Sequence, residues 1–129
     1  MRFLTADYLF PLYIAPIKQG VLQISDNKEV IAVFENRSEV PQEKLEVFEG
    51  ILCPGFVNAH CHLELSHLKG QIPRHTGMAG FVRTLQPLRD KFSEDEKVAA
   101  MHAAMQEMHK GGIAAIGDIC NGATSLQVK

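Results

Sequence analysis

The sequence predicts an α/β fold in which a strand-rich opening segment is followed by a βα-repeat. Three observations carry this. Short apolar runs separated by turn residues fill the chain up to Pro54-Gly55; Ser93-Glu94-Asp95-Glu96 is a capping box opening one long helix; and Ile113 to Ile119 is an almost uninterrupted apolar strand directly after Gly111-Gly112. Beyond that break the pattern changes from short strands to helix and strand in alternation.

Taken in order, Phe3 to Phe10 is apolar and aromatic and reads as a strand. Val21 to Ser25 and Glu29 to Phe34 flank the polar turn Asp26-Asn27-Lys28, a β-hairpin signal. Glu35 to Lys44 is polar, holds Pro41 and reads as loop, whereas Leu45 to Phe48 and Ile51 to Cys53 are further strand pieces. Phe56 to Ala59 is a short strand ending in His60-Cys61-His62. No regular pattern follows until about Met78, and a gap of that size in a compact domain points to function or disorder. Met78 to Leu85 has helical spacing in Phe81, Val82 and Leu85, and Pro87 should break or restart that helix.

The capping box predicts a helix from Glu94 to Lys110, with Gly111-Gly112 as its stop. Val98, Met101, Met105 and Met108 form one stripe on it, read as core facing a sheet rather than as a soft groove for a partner. Ile113 to Ile119 has so few polar residues that burial on both faces is expected, the habit of parallel strands covered by helices.

Composition narrows the function. The 129 residues carry 13 basic and 15 acidic side chains, a net charge of -2, with no basic run to track nucleic acid. No apolar stretch reaches the ~18 residues of a membrane span. Tyr8 to Ile17 resembles a short signal-peptide core, but its positive leading region is only Arg2 and the amino terminus, Asp7 directly precedes it and two prolines interrupt it. Cys53, Cys61 and Cys120 are odd in number and widely spaced, so neither a disulfide framework nor a zinc ribbon is indicated, and a cytoplasmic setting is the simplest expectation.

The chemistry concentrates at His60-Cys61-His62. Side chains alternate along a strand, so His60 and His62 point the same way and can offer nitrogens to one metal, while Cys61 points to the other face. With six histidines in the chain, roughly 0.3 such pairs arise by chance. Position at the carboxyl end of a strand that opens a βα unit strengthens the signal, because that is where (β/α) barrels place catalytic groups.

Pro54-Gly55-Phe56-Val57-Asn58-Ala59-His60-Cys61-His62-Leu63-Glu64 resembles the P-G-F-(V/I)-(N/D)-x-H-x-H-L signature of the amidohydrolase superfamily, in the branch of cytosine, guanine and S-adenosylhomocysteine deaminases and chlorohydrolases. The hairpin over 21–34 is similar to strands of that family's small β-sandwich. Met108 to Asp118 is similar to its passage from helix to second barrel strand. The resemblance spans about residues 18 to 121, and the stretch H-C-H-L-E-L-S-H-L-K-G is also similar to aminodeoxyfutalosine deaminases.

The resemblance implies the amino-terminal part of a (β/α)8 barrel, incomplete in this chain, with β-sandwich strands over 1–53 and the first two barrel strands and their helices over 54–129. A complete barrel needs ~250 residues. It further implies a hydrolase of carbon–nitrogen bonds using metal-activated water, with zinc or iron as the divalent metal, a nucleobase- or nucleoside-like small-molecule substrate, no nucleic acid or membrane partner, and a homo-oligomer. His60 and His62 match its first two metal ligands. The remaining ligands and the acid/base residues belong to later strands, so no catalytic residue is assigned here and the chain alone is expected to be inactive. Unpaired edges would then make it marginally folded or self-associating. A binding or self-associating module is the alternative.

Glu64 and His67, in the loop after the first barrel strand, are candidates to bind substrate, against readings as a loop carboxylate and a loop hydrogen bond; Lys69 and Arg74 share that loop. Asp118 looks catalytic by position, but the family uses no ligand there, and a role in holding the strand-to-loop turn is expected. His102 and His109 lie seven apart on the helix and read as surface residues. Cys61 and Cys120 read as packing residues. Strand alternation opposes Cys61 as a nucleophile with His60 or His62 as its base.

Overall fold

The computed structural model describes residues 1–89 and 91–129, and it divides into two compact units, Met1–Pro54 and Gly55–Lys129. The first unit is built of strands β1 (Arg2–Thr5), β2 (Tyr8–Leu9), β3 (Ile17–Lys18), β4 (Val21–Ile24), β5 (Val30–Phe34), β6 (Leu45–Val47) and β7 (Ile51–Leu52). They form two sheets, in the orders β5-β4-β1-β6 and β3-β2-β7. The hairpin forms as the turn residues require: β4 and β5 are antiparallel, Ser25 N–H donates to Glu29 C=O, and Lys28 takes a positive φ of 65° in the turn.

The expected single strand over 3–10 is instead two short strands in different sheets. The break falls at Ala6-Asp7, where the Asp7 carboxylate accepts from Gly50 N–H at 2.8 Å and its carbonyl from Gln19 N–H at 3.0 Å. Those bonds turn the chain from one sheet to the other, a long-range event that apolar alternation does not encode. Phe3, Val21 and Val40 form the core, with Phe34 and Leu45 against it, and buried Thr5 satisfies its hydroxyl by donating to Gly20 C=O at 2.9 Å.

The second unit holds β8 (Phe56–Cys61) and β9 (Ile113–Asp118), the helices α1 (Gly77–Arg89) and α2 (Glu94–Lys110), and a 3₁₀ segment at Leu63–Leu68. β8 and β9 are parallel, with Cys61 opposite Asp118. They approach so closely that a Cβ on Gly117 would lie 2.5 Å from the Ala59 carbonyl oxygen; only glycine fits there. Among the described residues this sheet has two strands and no barrel closes.

Burial of β9 on both faces is not observed. Ala114 and Ala115 are exposed, as are Phe56 and Val57 on β8, because each strand has one neighbour only and the faces lack the cover a larger sheet would supply.

α2 has the expected ends. Ser93 Oγ accepts from Glu96 N–H while the Glu96 carboxylate accepts from Ser93 N–H at 2.8 Å, and past the helix Gly112 adopts φ 82° with its N–H donating to His109 C=O. Its methionine stripe faces inward, with Met101 only 1% exposed, but it packs mainly on the 3₁₀ segment rather than on the sheet. Leu63 and Leu68 supply the buried anchors there, in a stretch where no regular element was expected. α1 runs through Pro87 to Arg89, so the expected break does not fall at the proline; Pro87 removes the N–H that would bond the Arg83 carbonyl, but only two residues before the helix ends. Val82 is exposed, and Leu88 joins Phe81 and Leu85 on the inner side.

Candidate metal and substrate site

The site starts from the ends of β8 and β9. His60 and His62 are both exposed, and their rings meet edge to face with centroids 5.2 Å apart. His62 Nδ1 lies 2.8 Å from the Ile119 carbonyl oxygen. A carbonyl only accepts, so Nδ1 carries the proton and Nε2 keeps the lone pair a metal requires. Upstream, His60 N–H donates to Asn58 Oδ1 at 3.3 Å, and Asn58 Nδ2 in turn reaches Met108 Sδ at 3.6 Å.

Cys61 lies on the other side, its Sγ 3.8 Å from Asp118 Oδ1. Burial, and then the Asp118 charge, push its thiol pKa up, which keeps it protonated and argues against a nucleophile. Asp118 is not free for chemistry either. Its carboxylate, 1% exposed, accepts from Leu63 N–H at 2.8 Å, Ser125 Oγ at 3.0 Å and Lys129 Nζ at 2.6 Å. Burial alone would raise its pKa, but the hydrogen bonds from Lys129, Leu63 and Ser125 outweigh burial and hold it below the usual value.

Glu64 turns its carboxylate to the loop after β9, accepting from Asn121 Nδ2 at 2.7 Å and Asn121 N–H at 3.0 Å, with Arg89 at 3.7 Å. It lines a cavity of about 500 Å³ with His67, Gln86, Arg89, Lys97 and Thr124. Neither His60 nor His62 lines that cavity; His62 borders a smaller one of about 290 Å³. Among the described residues, neither buried ring nitrogen of His67 has a partner at hydrogen-bond geometry, and the ring packs edge to face on Phe92 at 5.1 Å. Burial first, then the charge of Lys97, lower its pKa and keep it neutral near pH 7. Lys69 pairs with Glu107 on the surface, and His102 and His109 are exposed. Among the described residues no three His, Cys, Asp or Glu side chains are grouped to hold a metal ion. The bond from Ser125 to Asp118 accords with the turn-holding role expected of that residue, whereas its bond to Leu63 and the pairing of Asn121 with Glu64 link residues more than 50 apart and have no local sequence signal.

The fold matches part of the fold of solved deaminase and chlorohydrolase structures. The solved Helicobacter pylori aminofutalosine deaminase, in complex with methylthio-coformycin, superposes with a TM-score of 0.79 at 18% identity over 99% of this chain and 32% of that one. Atrazine chlorohydrolase from Arthrobacter aurescens, complexed with zinc, superposes with a TM-score of 0.71 at 22% identity, over 92% of this chain and 28% of its own. In sequence the chain is 25% identical over 102 residues to the 5-methylthioadenosine/S-adenosylhomocysteine deaminase of Haloarcula marismortui, covering 79% of this chain. It spans 24% of that relative's length. No family model matches. The chain thus spans between about a quarter and a third of the length of each of these proteins.

Proposed function

We propose that these residues form the amino-terminal portion of a metal-dependent hydrolase that deaminates an aminopurine nucleoside or a related heterocycle. The observation that carries this is the His60–His62 pair at the carboxyl end of a parallel strand, with the Ile119 carbonyl holding His62 in the tautomer whose Nε2 is free. Two imidazoles suit zinc or iron, and a catalytic site of this kind has a third protein ligand and an open position. When bound, the cation supplies an activated water for attack on the carbon that bears the nitrogen. The likeness to the 5-methylthioadenosine/S-adenosylhomocysteine deaminase of Haloarcula marismortui supports a nucleoside-like substrate. Glu64 and His67 border a cavity of suitable size for part of one, with Glu64 ordering the loop at Asn121.

Exposed Phe56 and Val57 support the competing reading, a module that only associates with itself or another chain. Elemental analysis of the dialysed whole polypeptide, native and His60→Ala/His62→Ala, separates the two. The native protein should hold metal and release ammonia from S-adenosylhomocysteine or 5-methylthioadenosine, and the double variant should do neither; equal metal in both overturns the hydrolase reading.

A further inference from the structure

Three consecutive residues at the end of β8 are each tied to the end of β9. Cys61 C=O accepts from Ile119 N–H at 2.8 Å, His62 Nδ1 bonds Ile119 C=O at 2.8 Å, and Leu63 N–H donates to Asp118 Oδ1 at 2.8 Å. Resting on the reading of His62 as a metal ligand, we propose that Asp118 is a positioning residue: by pinning Leu63 to β9 it keeps the His62 ring against the Ile119 carbonyl and so sets which nitrogen faces the metal.

The acceptor count favours positioning over ligation. Oδ1 faces Leu63 N–H and Cys61 Sγ, and Oδ2 faces Ser125 Oγ and Lys129 Nζ. A carboxylate offers about four lone-pair sites, and all four are directed at protein donors. The charge is buried but compensated by Lys129, so the Asp118 carboxylate is held in place by its partners at the strand end. Outer-shell partners of ligating histidines act in this way, orienting the ring and fixing the tautomer.

The test reads the tautomer without metal. In the metal-free whole protein, ¹⁵N-imidazole NMR should show His62 as the Nδ1–H form. Asp118→Ala should leave it averaged between tautomers and weaken zinc binding, measured by chelator competition, about 10- to 100-fold. Asp118→Asn keeps an oxygen for Leu63 N–H, so it should retain the Nδ1–H form. A folded Asp118→Ala protein with the native tautomer overturns the proposal, as does loss of the tautomer in Asp118→Asn. If Asp118→Ala does not fold, the Asp118→Asn result decides alone. Zinc binding that survives His60→Ala and His62→Ala overturns the metal reading instead, and leaves the tautomer result standing as the measure of Asp118.

Discussion

The two units bury their apolar residues in different places. In Met1–Pro54 the sheets themselves are the core: Val21 is 0% exposed, Leu9 is 2% exposed, and Phe3 and Phe34 pack 6.5 Å apart. In Gly55–Lys129 the most deeply buried apolar residues are Leu63, Leu68 and Met101, off the sheet, while Phe56 and Val57 on β8 are 59% and 64% exposed. A four-stranded sheet with a covered face closes its own core; a two-stranded parallel pair does not, and stability passes to the helix and the 3₁₀ segment. The candidate ligands His60 and His62 thus sit on the strand with less cover, held by cross-strand hydrogen bonds rather than by packing.

The largest effect expected from this difference is at Met101. Its truncation to alanine should cost about 2–5 kcal/mol of stability, since it removes a buried side chain from the contact between α2 and the 3₁₀ segment. Both long helices belong to the second unit and both tyrosines, Tyr8 and Tyr13, to the first. Urea unfolding followed at 222 nm should therefore shift in Met101→Ala, while tyrosine fluorescence shifts less. Equal shifts would show that the two units unfold as one.

A smaller effect should appear with pH. Asp118 is held below its ordinary pKa in the folded chain, so its contribution is present above the unfolded carboxylate value of ~3.9 and is lost as pH falls through the folded value. The 222 nm signal should lose stability on acidification below about pH 4, and Asp118→Asn should flatten that dependence while lowering stability at neutral pH. An unchanged acid slope in the variant would assign it to other carboxylates.

The smallest effect should be at Phe56. Phe56→Ser removes a large aromatic side chain, yet one that is mostly in solvent, and its cost should stay within about 0.5 kcal/mol. In sedimentation the same substitution should reduce any self-association, because it removes apolar surface beside an unpaired strand edge. A loss approaching that of Met101→Ala would mean that the face of β8 is covered in solution.

Local signals account for what could be read ahead of the structure. The α2 boundaries, Glu94 to Lys110, follow from a capping box that spans four residues and a glycine stop that spans two, and the β4–β5 hairpin follows from its own turn. The H-x-H pair was also visible, because strand alternation places i and i+2 on one side. Other features depended on residues far apart in the chain. The bonds that hold the site, Leu63 to Asp118, His62 to Ile119 and Glu64 to Asn121, link positions 55 to 57 apart. The split of the first strand at Ala6-Asp7 and the exposure of Phe56 and Ala115 likewise reflect which strands are adjacent. By itself the sequence determined the elements whose hydrogen bonds close within a few residues. The partner of each buried carboxylate, the tautomer of His62 and the cover over each strand were decided only in the tertiary structure, because loop closure must first bring distant donors and acceptors together.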